Sequence, residues 1–199
     1  LSLPQPFGSY VMENVLFKIS YPAEFHAQTA VEAAMTLHPQ IAARIGEIER
    51  VSIETQEPGV RIIDKTGPLA NPADRDHCIQ YMVAIPLLFG RLNAADYEDG
   101  VAADPRVDAL RAKMRVTVSE QYTRDLRDPK KRSNAHAIEI TFKDGTRLPK
   151  VEIEYPLGHP RRRKEGIPLL LEKFRVNLAR RFAPKQQQAI LDACADQRM

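Results

Sequence analysis

Residues 17–26, which read FKISYPAEFH, place a lysine and a histidine beside apolar residues. Lys18 lies between Phe17 and Ile19, where burial or a charged neighbour would change how readily its ammonium group loses a proton. His26 stands at the start of a predicted helix, and imidazole is the side chain that most readily exchanges a proton near neutral pH. The alternative is a lysine at a strand edge and a histidine that caps a helix, and composition alone favours this structural interpretation.

A second segment, residues 76–82, reads DHCIQYM and carries another pair of polar side chains. His77 and Tyr81 are four residues apart, so on a continuous helix they would share one face. An imidazole beside a phenol can relay a proton or donate hydrogen bonds to a carboxylate. A polar stripe on a partly buried helix is the alternative, and spacing alone favours it.

The sequence lacks the common signatures of metal, nucleotide and serine-nucleophile sites. The two cysteines, Cys78 and Cys194, are too few for the thiolate set of an iron–sulfur cluster. No glycine-rich phosphate loop, dinucleotide fingerprint or Gly-x-Ser-x-Gly turn occurs. No two histidines stand four residues apart; the five are His26, His38, His77, His136 and His159. The sequence therefore predicts no metal site built from this chain alone.

Composition excludes two further classes of protein. The net charge of +3 is too small for a dedicated nucleic-acid binder, and no aromatic residues interleave with the basic runs at 130–132 and 161–164. Those runs are interpreted as solvated loop charge, with steering of an acidic substrate as the alternative. No apolar run approaches the roughly 18 residues that a membrane span needs. Two cysteines fit a reducing compartment.

The hydrophobic periodicity predicts helices and strands in separate blocks, which is typical of an α+β fold with a small antiparallel sheet of about four strands packed against helices. We expect a helix over residues 27–37 that Pro39 terminates, and a helix over residues 73–92 that kinks or breaks at Pro86. Asp104 and Pro105 predict the start of a helix that reaches residue 114. Further predicted strands lie at 15–19, 51–55, 116–118, 138–142 and 148–153, and further predicted helices at 168–182 and 184–195.

Three segments together resemble the MmgE/PrpD family. They are FKISYPAEFHAQTAVEAA at residues 17–34, DRDHCIQYMVA at residues 74–84, and the pattern from Gly158-His159-Pro160 to Glu172-Lys173-Phe174. The resemblance covers essentially the whole chain, with the motifs in the expected order. It implies that residues 1–199 form the C-terminal α+β domain of a longer chain, with residues 1–14 as a linker or a remnant of an all-helical N-terminal domain that is absent here.

The resemblance also implies an activity, namely dehydration of 2-methylcitrate to 2-methyl-cis-aconitate in propionate breakdown. Related citrate dehydration or cis-aconitate hydration is compatible with it. Relatives of this type work without an iron–sulfur cluster, so no cofactor is expected. The expected partners are a small tricarboxylate substrate, the protein's own helical domain and a second copy in a homodimer, with neither nucleic acid nor membrane. The expected compartment is a bacterial cytoplasm, or the mitochondrial matrix in a eukaryote.

Four side chains become candidate site residues through the resemblance. Lys18 and Tyr81 match substrate-binding positions of similar enzymes, where they would bind a carboxylate or stabilise developing charge. His26 and His77 are the candidates for general acid–base catalysis or for orienting other groups. A branch of the family that decarboxylates cis-aconitate tends to place a histidine where this chain has Glu24, which favours the dehydratase. A non-catalytic lid or dimerisation module stays open as an alternative.

Overall fold

The computed structural model describes residues 21–195. They belong to two compact units, one formed by residues 21–156 and the other by residues 157–195. The strand predicted at residues 15–19, together with Lys18, lies outside the described residues.

A four-stranded mixed sheet forms the centre of the first unit, with the strand order β2-β1-β3-β4. β1 pairs antiparallel with β3, and β3 pairs antiparallel with β4. The predicted α+β class and the strand number are confirmed, but the prediction of a wholly antiparallel sheet is wrong at one pair, because β1 and β2 run parallel. Parallel neighbours need a long crossover connection, and the helices between them supply it. The strands are β1 (Ile48–Thr55), β2 (Met114–Val118), β3 (His136–Phe142) and β4 (Val151–Ile153).

Seven helices belong to the first unit in the described part of the chain. Four begin at side chains that accept a hydrogen bond from a backbone N–H of the first turn, which satisfies a donor that the helix leaves unpaired. These capping residues are Gln56, Asn71, Asp104 and Ser119. The helices are α1 (Gln28–Ile41), α2 (Glu57–Ile63), α3 (Pro72–Asp76), α4 (Ile79–Phe89), α5 (Asp99–Ala102), α6 (Pro105–Arg111) and α7 (Glu120–Arg127).

The predicted helix end at Pro39 is wrong, and no helix break occurs at Pro86. α1 continues through Pro39 to Ile41, and α4 contains Pro86 in its interior. An interior proline costs about 3 kcal/mol through one lost hydrogen bond and a steric clash. α4 is buried continuously from residue 79 to residue 87, and α1 buries its apolar side chains at positions 30, 31, 33, 34, 37 and 41. That burial offsets the cost. The actual break in the 73–92 segment comes at His77 and Cys78, between α3 and α4.

The core of the first unit lies between α1, α4 and the sheet. α1 packs along α4 on one side and against β3 and β4 on the other. Large fully buried side chains come from every layer, and they include Leu37, Ile53, Tyr81, Met82, Ile85 and Ile138. Cys78 is also buried, with its Sγ 3.2 Å from the Lys65 carbonyl oxygen.

The second unit is helical in its described residues. It contains a 3-10 turn (Pro160–Arg162), α8 (Arg163–Ala179) and α9 (Pro184–Ala195). α8 begins five residues before Pro168, the position where the sequence predicted its start. Large apolar side chains on α8 and just after it are 42–58% exposed, namely Ile167, Leu169, Leu171, Val176 and Phe182.

Candidate active site

The candidate site residues lie in and around the two segments that precede α1 and α4. The C-terminal ends of these helices meet at His38, whose Nδ1 is 2.9 Å from the Leu87 carbonyl oxygen. The two helices pack against each other. The segments that precede the two helices, residues 21–27 and 77–78, contain the predicted histidines.

Glu24 and His26 form a partly buried carboxylate–imidazole pair just before α1. The imidazole Nδ1 lies 3.1 Å from each carboxylate oxygen, and the His26 backbone N–H donates to Glu24 Oε2 over 2.6 Å. The side chains are 15% and 18% exposed respectively. Burial raises the pKa of Glu24, but the hydrogen bonds and charge of His26 outweigh it and hold the pKa of this carboxyl below its ordinary value. A carboxylate that fixes one ring nitrogen of a histidine is a common arrangement for proton transfer through the other nitrogen.

Side-chain amides hold the backbone around this pair. Gln28 Nε2 donates to the carbonyl oxygens of Tyr21 and Ala23, over 3.0 and 2.7 Å. Asn134 Nδ2 donates to the carbonyl oxygen of Phe25 over 2.7 Å. Phe25–Ala27 form a short 3-10 turn that the Glu24 side chain caps, and these side-chain bonds add to the backbone pairing of the turn.

A fully buried histidine lies behind the pair, at the start of β3. His136 Nδ1 is 2.7 Å from the Thr29 hydroxyl, and its Nε2 is 2.7 Å from the Thr55 hydroxyl. Burial lowers the pKa of His136 to about 4, because an imidazolium would lose its hydration there. His136 is therefore neutral at pH 7, and it ties the first turn of α1 to the end of β1.

The predicted shared face of His77 and Tyr81 is wrong. His77 caps the end of α3 and is 54% exposed, with Nδ1 2.5 Å from Asp76 Oδ1. Tyr81 lies one turn inside α4, is 1% exposed, and donates its hydroxyl hydrogen to the Asp96 carbonyl oxygen over 2.5 Å. The break between α3 and α4 separates the two side chains. Burial raises the pKa of Tyr81 to about 12, so the phenol is protonated at neutral pH.

Tyr81 also borders a cleft that carries two arginines. The cleft has a volume of about 230 Å³, and its lining includes Arg75, Tyr81 and Arg111. Arg75 is almost completely buried and donates to the Tyr97 carbonyl oxygen over 2.6 Å and to Asp99 Oδ1 over 2.7 Å. The same cleft is lined by Asp99, which pairs with Arg75, and by Asp108, whose Oδ1 is 2.5 Å from Arg111 Nη1. Guanidinium groups are well suited to bind carboxylates, so a substrate carboxylate would have to compete with these two aspartates. The sequence analysis missed both arginines, although Arg75 lies within the motif at residues 74–84.

In the basic run at 130–132, the Lys131 ammonium group forms ion pairs with two carboxylates. Lys131 Nζ is 2.6 Å from Asp125 Oδ2 and 3.1 Å from Glu154 Oε1. In the other run, Arg162 pairs with Glu165 at 2.7 Å. These two cations are held by neighbouring carboxylates rather than standing as isolated solvated charges.

Within residues 21–195, no group of three or more histidine, cysteine, aspartate or glutamate side chains is arranged to hold a metal ion. No helix among these residues is both long enough and apolar enough to cross a membrane.

A family model described as the MmgE/PrpD C-terminal domain matches residues 21–197. The chain belongs to this family. The chain is 66% identical over 196 residues to the 2-methylcitrate dehydratase of Cupriavidus necator, which covers 97% of this chain and 40% of that protein. It is 63% identical over 195 residues to the 2-methylcitrate dehydratase of Escherichia coli K12, covering 96% of this chain and 40% of that protein.

A eukaryotic relative extends the comparison. The mitochondrial 2-methylcitrate dehydratase of Yarrowia lipolytica is 57% identical over 193 residues, with 95% of this chain and 37% of that protein covered. The chain thus spans about 40% of the length of the curated relatives that it matches. Candidate side chains such as Glu24, His26 and Tyr81 all lie within the residues that the family model matches.

Proposed function

We propose that this chain is the C-terminal domain of a 2-methylcitrate dehydratase, which removes water from 2-methylcitrate to give 2-methyl-cis-aconitate. The observation that carries the proposal is the identity of 66% over 97% of the chain with a protein of that name. All three relatives described above carry the same enzyme name. A bacterial cytoplasm, or a mitochondrial matrix in a eukaryote, is the compartment that fits them.

The chemistry requires charge stabilisation and proton transfer at two adjacent carbons. A proton leaves the carbon next to a carboxylate, the electron pair forms the double bond, and the hydroxyl departs from the neighbouring carbon as water after it gains a proton. The negative charge that develops on the carboxylate side needs cations and hydrogen-bond donors already in place. We assign Lys18 to this role, with Arg75 and Arg111 contributing positive charge in the cleft beside Tyr81.

The Glu24–His26 pair is the proposed acid–base group. Its carboxylate holds Nδ1, and Nε2 of His26 has no hydrogen-bond partner among the described residues, so this nitrogen is the one that would exchange a proton with the substrate. His77 is the weaker candidate, because its imidazole lies on the surface beside Asp76. Tyr81 would bind a substrate carboxylate or relay a proton once its hydroxyl turns away from the Asp96 carbonyl.

The remaining groups of the site are proposed to come from an N-terminal helical domain of the full-length protein, by which we mean the natural polypeptide that contains this chain. The exposed apolar residues of α8 support a covering partner. Ile167 and Leu171 lie on one face, while Leu169 and Val176 lie on roughly the opposite face. A helix that is apolar on several sides is normally buried. A second copy in a homodimer is the other proposed partner.

The test is turnover of 2-methylcitrate by the full-length protein with Lys18→Met and Tyr81→Phe made separately. Formation of the conjugated product is followed by its ultraviolet absorbance. We expect kcat/KM to fall at least tenfold in each variant, because each loses a group that acts on the charged substrate. Near-normal kcat/KM in both variants would show that these two site assignments are wrong.

A decarboxylase of the same family is the second candidate, and Glu24 argues against it. In this structure Glu24 is the carboxylate that fixes His26, so a histidine at position 24 would build a different site. Release of carbon dioxide from cis-aconitate by the full-length protein, without turnover of 2-methylcitrate, would reverse the choice.

A further inference from the structure

We propose that Gln56 and Asn134 act as positioning residues, forming a relay of side-chain amides that fixes the Glu24–His26 pair from behind. This inference rests on the proposed function, in which that pair transfers the proton. Among the described residues, neither amide side chain forms a hydrogen bond with the side chains of the pair. They act through the Phe25 carbonyl, on the residue between Glu24 and His26.

The relay is a continuous series of three buried hydrogen bonds. The Gly59 backbone N–H donates to Gln56 Oε1 over 2.8 Å. Gln56 Nε2 then donates to Asn134 Oδ1 over 2.6 Å, and Asn134 Nδ2 donates to the Phe25 carbonyl oxygen over 2.7 Å. Gln56 and Asn134 are 0% and 1% exposed, so water does not compete for these bonds.

The direction of every bond in the relay is determined by the two backbone groups at its ends. An N–H can only donate and a carbonyl oxygen can only accept. The Gly59 N–H therefore requires the oxygen of Gln56 on its side, which turns the Gln56 nitrogen toward Asn134 and the Asn134 nitrogen toward Phe25. A reversed amide would leave buried polar groups unpaired, which costs roughly 1–3 kcal/mol for each group.

The relay matters for proton transfer because the carbonyl that it holds sets the position of the backbone between the two partners. Gln28 Nε2 holds the carbonyls of Tyr21 and Ala23. The Phe25 carbonyl accepts from the Gln28 backbone N–H within the local turn and from Asn134 Nδ2, the bond that ties it to the relay. If Phe25 moves, His26 changes its distance and angle to Glu24 and to the substrate. Small displacements of this kind reduce rates strongly even when the substrate still binds.

The relay can be tested by a substitution at Gly59, which lies outside the candidate site. Gly59 lies in α2, and a Cβ added there would stand 2.2 Å from Gln56 Oε1 and 2.9 Å from Thr55 Oγ1. Gly59→Ala therefore has to displace the Gln56 amide. Gly100 in α5 is the matched control, since a Cβ there meets nothing within 4 Å.

The experiment compares Gly59→Ala, Gln56→Ala, the double variant and Gly100→Ala in the full-length protein. We expect Gly59→Ala to lower kcat at least tenfold with KM changed less than twofold, and to alter the pH profile of kcat/KM. Gly59→Ala should have a much smaller further effect when Gln56 is already alanine, because only the contact of the added Cβ with Thr55 Oγ1 then remains. Gly100→Ala should behave as the unsubstituted protein does.

A second readout does not depend on turnover. The rate at which diethylpyrocarbonate modifies His26, measured by peptide mapping, should rise at least threefold in Gly59→Ala and stay unchanged in Gly100→Ala. Equal rates and equal kinetics in these two variants would overturn the relay. Absence of 2-methylcitrate turnover in the unsubstituted protein would instead refute the proposed function, and the modification rates would still decide the relay.

Discussion

At the scale of single residues, the histidines differ in burial and in hydrogen-bond partners, and these differences indicate different roles. His26 is half enclosed and paired with a carboxylate, His77 is exposed, and His136 is fully buried between two hydroxyls. The three side chains have the same chemistry in isolation. Their surroundings leave His26 as the one best placed to exchange a proton with a bound substrate.

We predict that His26→Gln in the full-length protein lowers kcat/KM by roughly 10²–10⁴, the usual contribution of a positioned general acid or base. His77→Gln, the control, should change kcat/KM less than threefold, because that imidazole lies on the surface. Steady-state kinetics with 2-methylcitrate provide the measurement. The opposite ranking would move the acid–base role to His77.

From the sequence, only those residues of the candidate site that lie together in a short motif could be predicted. His26 and Tyr81 stood out because each lies in a short motif rich in groups that can do chemistry. Asn134, which lies 109 residues from Phe25 in the sequence, and Arg111 could not be found in this way. Their places depend on the pairing of strands and the packing of helices, which local patterns do not encode.

At the scale of elements, the contact between the ends of α1 and α4 determines how the two helices are aligned. Gly90 ends α4 with a φ of +65°, a conformation that side chains with a Cβ rarely adopt. An added Cβ would also lie 2.6 Å from His38 Cδ2. The helix end therefore requires glycine for two independent reasons.

We predict that Gly90→Ala reduces the free energy of unfolding of this domain by about 2 kcal/mol or more, through backbone strain plus the displaced His38 ring. Gly145→Ala separates the two causes, since Gly145 also has a positive φ but has open space where a Cβ would lie. It should cost about 1 kcal/mol. Urea denaturation of the three proteins measures the difference, and equal losses would mean that the contact with His38 contributes nothing.

A second prediction at this scale concerns His136, the buried neutral histidine with which β3 begins. The unfolded chain protonates His136 near its ordinary pKa of 6.5, whereas the folded domain resists protonation until about pH 4. The contribution of this group to stability is therefore complete above pH 6.5 and is lost as the pH falls from 6.5 toward 4. The loss amounts to about 3 kcal/mol.

Hydrogen exchange of peptides from β3, at pH 7.5 and at pH 5, measures this loss after correction for the intrinsic effect of pH. The dependence on pH should shrink in His136→Gln, which keeps a polar side chain between the two hydroxyls and does not titrate. An unchanged dependence would show that other groups cause the loss of protection.

The elements themselves were predicted well where the pattern was regular. β1 and the start of the helix after Asp104 follow directly from alternation and capping, but that helix ends at Arg111 rather than at residue 114, which belongs to β2. The errors came from Pro39 and Pro86, where burial of the neighbouring side chains outweighs the local cost of a proline. The parallel pairing of β2 with β1 was also missed, because the direction of a strand depends on the whole connection that leads to it.

At the scale of the whole molecule, the chain contains only part of what its relatives contain. It covers 40% of the length of the dehydratases from Cupriavidus necator and Escherichia coli. We propose that Glu24, His26 and the arginines of the cleft beside Tyr81 supply some of the groups of the site. We propose that the exposed apolar side chains of α8 form a surface that another part of the full-length protein covers.

We predict that the purified 199-residue chain alone does not convert 2-methylcitrate at a detectable rate, because the groups proposed to lie on the helical domain are missing. The full-length protein, assayed at the same molar concentration, is the positive control. Turnover by the 199-residue chain would mean that this domain holds a complete set of catalytic groups.

Because the two cysteines differ in burial, their rates of reaction with a thiol reagent can report the opening of the region around the start of α4. The chain has no tryptophan to monitor by fluorescence, but Cys78 is enclosed at the start of α4 while Cys194 faces solvent. One equivalent of a thiol reagent should react at once, with Cys194. The second equivalent should react with Cys78 only when the start of α4 separates from the residues around Lys65. The slow phase would then time the loosening of the same region that holds Tyr81.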